Sequence, residues 1–330
     1  MIRAALGVLG VLGVLGAADA RADIWKDAAA GQAGADADEF YTRALERGDD
    51  AAGQALQRGT DARVIIADVR KAIAAYEVAA NARPRSGEPY ARISATLYSF
   101  YFEYCPPPAV ISERTASPLC GRVTPDVTTL LLAAWHDFEI RSPLDPRLRA
   151  VRFDRAIVNT RVGLPTNIQD AAQDYEAILR FGDADDKATV ASNLAETYMM
   201  EGRLDEAIEM YRLSIDYNFE TTTAFGLAVA LDRNEETTKA RELLHVLGAN
   251  GLKRFTDSIE SGHTFFVPEG ETFYYLALAD EEAGNLPRAL REWQFFIASG
   301  AFPRYQIRAQ THIRDLSQPT QSPVQRAGAR

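Results

Sequence analysis

The stretch from Ala188 to Phe219, ATVASNLAETYMMEGRLDEAIEMYRLSIDYNF, constrains the fold more than any other part of the chain. Its apolar residues recur at helical spacing on both sides of Gly202, which predicts two helices joined by a tight turn. Ala195 and Ala207 are small where two such helices would have to cross closely. Tyr198 and Tyr211 are large where the space between successive hairpins must be filled. The pattern returns along the chain. From Thr221 it is carried by Leu227, Ala228, Leu231, Ala240 and Leu244, and from Gly270 by Phe273, Leu276, Ala277, Gly284, Ala289 and Trp293.

Counted from Ala188, Leu194 and Ala195 fill positions 7 and 8, Tyr198 fills 11, and Ala207 and Tyr211 fill 20 and 24. In this the segment resembles the tetratricopeptide repeat (TPR), a helix–turn–helix unit of about 34 residues. In the Gly270 copy Asp280 replaces the aromatic at position 11, which predicts poorer packing there. Upstream, Ala171 and Tyr175 look like the second helix of another unit. Ala72, Tyr76, Ala79 and Pro84 match positions 20, 24, 27 and 32, and Tyr90, Ile93, Ser94 and Leu97 open the next helix. The resemblance implies an all-α superhelix of stacked antiparallel hairpins that acts by holding a partner.

In TPR proteins the first helix of each hairpin lines the concave face, mainly through positions 2, 5, 9 and 12. Carried over, this implies a groove of Thr189, Ser192, Glu196 and Met199, then Phe225 and Val229 beside Thr222 and Asp232, then Tyr274 and Leu278 beside Glu271 and Glu281. The family's clamp for acidic peptide tails needs Lys, Asn and Arg on this face, and only Asn193, just off the lining, is present. Such a face suits an extended segment with apolar and basic side chains.

Residues 1–22 read as a secretory signal peptide. Arg3 precedes an uncharged run from Ala4 to Ala18, and small residues flank the possible cleavage points at Ala18–Ala20 and Ala20–Ala22. The run is short for a bilayer span of about 20 residues, and no cysteine offers a lipid anchor there. The alternative is an uncleaved leader that tethers the protein. Residues 23–60, rich in Ala, Gly and Asp, predict a flexible linker with one weak helix near Asp38–Arg47. A repeat domain follows over 61–316, with longer interrupting loops at Cys105–Val123 and Gly248–Gly270 and prolines at Pro143 and Pro146. Pro303–Leu316 predicts a capping helix whose outer face is polar through Arg304, Gln306, Arg308, Gln310 and Arg314. Residues 317–330 predict a disordered tail.

Of 330 residues, 47% are hydrophobic and 25% charged, and the net charge is −10. That acidity argues against nucleic acid, whose binding needs a basic surface. The two cysteines, Cys105 and Cys120, have no histidine pair near them, so metal binding is disfavoured. In an oxidising compartment they predict a disulfide across a proline-rich loop, worth about 3 kcal/mol for a loop near 15 residues; two buried free thiols are the alternative. The histidines, His136, His245, His263 and His312, form no short-spaced pair and read as helix-surface or partly buried residues, with His263 placed for a ligand contact in the second loop. No nucleophile elbow, zinc-protease motif or phosphate loop is present. The aromatic run Leu97, Tyr98, Phe100, Tyr101, Phe102 and Tyr104 is either packing under the proline loop or a binding platform.

Together these features predict no enzyme and no cofactor. They predict a periplasmic or secreted scaffold or adaptor of a bacterial cell envelope that binds a protein or extended peptide and has no membrane span once the leader is removed. The competing expectation is a carbohydrate- or peptidoglycan-binding accessory protein that uses Trp135, Trp293 and exposed tyrosines as sugar platforms.

Overall fold

A computed structural model describes residues 12–57, 61–103, 119, 122–181, 187–260, 264 and 266–317. Among these residues the fold is all-helical, with no strand. The helices are α1 (Leu12–Gln57), α2 (Ala62–Ala82), α3 (Glu88–Tyr98), α4 (Pro125–Arg141), α5 (Leu148–Val162), α6 (Pro165–Phe181), α7 (Lys187–Glu201), α8 (Leu204–Tyr217), α9 (Thr221–Arg233), α10 (Thr237–Glu260), α11 (Thr272–Glu282), α12 (Leu286–Ser299) and α13 (Gln306–Ser317). Within α1–α4 and within α5–α13 each helix packs on its neighbours in chain order, in consecutive pairs. Two compact units result, one built on α1–α4 and the other on α5–α13. The division falls in the stretch that holds Pro143 and Pro146.

In the first unit the structure departs from the expected flexible linker over 23–60. α1 runs through it, because Tyr41, Ala44, Leu45, Ala51 and Ala55 recur on one helical face and are all buried. Gly48 sits on that face where α2 crosses it. A Cβ there would come within 2.2 Å of the Tyr76 ring, so only glycine admits the ring at this crossing. The Tyr76 hydroxyl then donates to Asp49 Oδ1 at 2.9 Å. α3 continues as one turn of π-helix, Ser99–Glu103. Leu97, Phe100, Tyr101 and Phe102 are buried there, and Tyr98 lies between Phe102 and Trp135 at ring separations of 6.1 and 5.7 Å. From Leu97 to Phe102 the aromatic run is therefore core packing in this unit; Tyr104 lies outside the described residues. Trp135 itself is 2% exposed.

The second unit follows the small–large alternation closely. Ala195, Ala207 and Tyr211 are fully buried, Leu194 and Tyr198 nearly so, and Gly202 turns the chain at φ +82°. Ala228, Ala240 and Leu244 do the same between α9 and α10, and Ala277, Ala289 and Trp293 between α11 and α12. Asp280, in the aromatic's place, is buried and ion-paired to Arg288 at 3.1 Å. Within α9, Gly226 leaves room for Tyr211, whose ring and hydroxyl would stand 2.6 Å from a Cβ at that position.

The second interruption, expected as a loop over Gly248–Gly270, is helical up to Glu260, and residues 261–263 and 265 lie outside the described residues. Gly248 adopts φ 60°, ψ −177°, a region open essentially to glycine. It breaks α10, which then resumes and carries Phe255 into the core. Most of the first interruption, with Cys105 and Cys120, lies outside the described residues, as do His263 and the 317–330 tail beyond Ser317. No helix among the described residues is long and apolar enough to cross a membrane.

The register carries a direct test. Ala207→Trp is expected to lower stability by about 1–3 kcal/mol or more through overpacking at the helix crossing. Glu206→Gln, on a half-exposed side chain paired with Arg203, should melt with the wild type. Equal melting of both variants would show that the crossing lies elsewhere.

Candidate functional site

A cavity of about 320 Å³ opens within the second unit. The first helices of successive hairpins build most of its wall: Thr160 and Arg161 from α5, Ser192, Asn193 and Glu196 from α7, Thr222 from α9 and Tyr275 from α11. Tyr175 of α6, Phe255 of the resumed α10, and Phe266, Val267 and Glu271 of the segment before α11 complete it. On α7 the spacing Ser192, Glu196, Met200 keeps three residues on one face.

Among the twelve residues the TPR pattern assigned to the groove, the structure brings Ser192, Glu196, Thr222 and Glu271 to this wall. Thr189 is exposed and lines a separate shallow hollow with Phe153 and Ile178. Most of the others are buried. Met199, Phe225, Val229, Tyr274 and Leu278 range from 0 to 4% exposed, so they are not open groove lining. The chain itself covers those side chains. Phe255 stacks flat on Phe225 with ring centroids 4.0 Å apart, and Tyr274 meets Trp293 and Phe296 edge-on. At the end of α7 Met200 reaches the cavity in place of Met199. Met199 instead lies under Arg233 and the Tyr305 hydroxyl. Asn193, expected just off the lining, is on it. Trp135 and Trp293 are both buried and offer no exposed face for a sugar ring.

The polar groups of the cavity are fixed from behind. Tyr211, admitted by Gly226, donates its hydroxyl to Glu196 Oε1, and the Tyr275 hydroxyl stands 3.3 and 3.4 Å from the two Glu196 oxygens. Burial pushes the Glu196 carboxyl above its ordinary range, against these hydrogen bonds and the charge of Arg233. Glu271 is paired with Arg233 at 2.7 Å, both side chains being almost wholly buried. Burial pushes its carboxyl up to about 7; the Arg233 charge opposes the rise and the Glu196 charge adds to it. Arg233 lies over the rings of Tyr274 and Tyr305, 4.4 and 4.2 Å from their centroids. Such cation–π contacts strengthen when water is excluded.

A second polar cluster, missed at the level of sequence, pins the last helix. Asp232 accepts hydrogen bonds from Tyr274 at 2.7 Å, from Arg308 and from His312 Nε2 at 3.0 Å. His312 Nδ1 lies 2.9 Å from Glu281, and its ring stacks on Trp293 at 4.4 Å. With a carboxylate at each nitrogen, both nitrogens donate, so the ring is an imidazolium. Arg308 is thus turned inward from the polar outer face expected of the capping helix, and His312 is 5% exposed. The usable signal was Arg308 and His312 four residues apart on one helical face, opposite a buried Asp–Arg pair at the end of α9. Among the described residues no group of three metal-ligating side chains is close enough to hold an ion.

No protein-family model matches the chain. No curated protein matches it either.

Proposed function

We propose that this chain is an exported, TPR-like adaptor of a bacterial cell envelope, not an enzyme, and that its second unit captures an extended protein segment in the α5–α11 cavity. One observation carries the reading. The cavity wall draws mostly on α5, α7, α9 and α11, the first helices of four successive pairs, with Tyr175 of α6 and Phe255 of α10 added, while α8, α12 and α13 contribute nothing to it. That is the face on which repeat arrays of this kind hold their ligands. The wall offers aromatic faces for anchoring and hydroxyl and amide groups for main-chain hydrogen bonds. Export is supported by the leader-like residues 1–22, and a Cys105–Cys120 disulfide belongs to the same reading.

The test places a photo-crosslinking residue at Thr222, exposed at the cavity wall, and at Arg291, exposed on α12. Irradiation in the source cell is expected to give one discrete adduct from position 222 and none from 291. Adducts of equal pattern from both positions would remove the cavity as the capture site.

A further inference from the structure

Two carboxylates on separate elements, Glu196 of α7 and Glu271 before α11, face the cavity of the second unit. One of them is balanced. Arg233 holds Glu271 at 2.7 Å from within the core. Among the described residues, Glu196 is hydrogen-bonded by the phenols of Tyr211 and Tyr275 and is in no ion pair; the charge of Arg233, already paired with Glu271, also acts on it, so the two carboxylates share one buried cation. The wall therefore carries one uncompensated negative site beside the rings of Phe255, Phe266 and Tyr275, with Phe266 and Tyr275 at 4.7 Å from each other. A carboxylate in such surroundings loses hydration and regains it most fully from a cation.

We propose that this cavity accepts an alkylammonium group, presented as the lysine side chain of the captured segment. The inference rests on the adaptor reading and assigns the chemistry of its anchor. The aromatic and aliphatic wall suits a four-carbon stem, and an aromatic face attracts the charge that the stem delivers. A volume of about 320 Å³ holds one such chain and is at the small end of ligand cavities. Lysine fits better than arginine: a compact ammonium is served from carboxylates at unrelated angles, whereas guanidinium asks for a coplanar pair. Arg161, the one cation among the described lining residues, is exposed and leaves the buried end to the carboxylates.

The experiment titrates the full chain with Nα-acetyl-lysine methylamide, its norleucine counterpart and putrescine, following backbone amide shifts by NMR. Saturable binding of the lysine probe is expected at the α7 and α11 amides, about tenfold or more tighter than the norleucine probe. Glu196→Gln, which keeps a hydrogen-bond acceptor for both phenols, should lose that preference while its melting temperature holds. If Glu196→Gln unfolds, Thr222→Lys provides the second measurement: a tethered ammonium beside the wall should compete with the probe. Equal binding of the lysine and norleucine probes, or none by either, overturns the proposal. An adduct at position 222 together with no lysine preference keeps the adaptor and removes the ammonium anchor. Putrescine bound more tightly than the lysine probe, with no adduct at 222, keeps the cationic cavity and removes the adaptor, and with it the lysine assignment.

Discussion

Arg233→Met is expected to cost about 3–5 kcal/mol of folding free energy at pH 8, measured by urea denaturation. Arg233 is completely buried and its partner Glu271 nearly so, with 2.7 Å between them. Removing one member of such a pair strands the other charge without water or a counterion, and that penalty exceeds the worth of the pair itself. The methionine restores some of the lost packing against Tyr274 and Tyr305 but none of the charge. The loss should shrink toward pH 5. Glu271 already binds a proton in the folded protein at about pH 7, above the unfolded value near 4.3. A raised carboxyl stabilises below the unfolded pKa and loses that contribution as pH climbs through the folded one. Without Arg233 the folded value rises further, so the acid form masks more of the defect. The double variant Arg233→Met/Glu271→Leu should recover most of the stability, because it removes both charges. A double variant as weak as the single one would mean that packing against the tyrosine rings, and not the ion pair, is what Arg233 supplies.

The hairpins were legible because their determinants are local. Ala195, Tyr198, Ala207 and Tyr211 lie within one repeat, and each is buried where the alternation put it. α1 was missed although Tyr41, Ala44, Leu45, Ala51 and Ala55 form a helical stripe. Its surrounding Ala, Gly and Asp content lowers the mean hydropathy, and the glycine that reads as a breaker, Gly48, is the residue the crossing with Tyr76 requires. The groove failed differently. The register of α9 and α11 was close, but what covers them comes from 30 to 80 residues further along the chain: Phe255 on Phe225, and His312 on Asp232. Side-chain periodicity says which face of a helix is apolar. It does not say whether a ligand or the chain's own later segment fills the space in front of it. Ser192 and Glu196 of α7 remained on the cavity wall, since Phe255 of the later segment stacks on Phe225 of α9.

His312 should make the second unit lose stability in mild alkali. Burial alone would lower its pKa. The hydrogen bonds and charges of Asp232 and Glu281 outweigh burial and push the imidazolium up to about 9 from 6.5. A cation whose folded pKa is raised contributes fully below the unfolded value and loses the contribution as pH rises through the folded one. The window is therefore pH 6.5 to 9, and a difference of that size is worth about 3 kcal/mol. Asp232 runs the other way. Burial raises its pKa, but His312 and Arg308 hold it well below the ordinary carboxylate range, so its share is lost only in acid, below about pH 4. The two shares describe one cluster and do not add. His312→Gln keeps a polar side chain on Trp293 and removes the titrating charge. It is expected to lower stability at pH 6.5 by about 3 kcal/mol and to flatten the fall between pH 6.5 and 9. Amide exchange gives the local readout: in the wild type at pH 9, protection should fall first in α13, which the cluster holds to α9 through Arg308 and His312. A wild-type protein whose stability is level across that window would show that the ring is neutral in the fold, with one of its two carboxylate neighbours protonated instead.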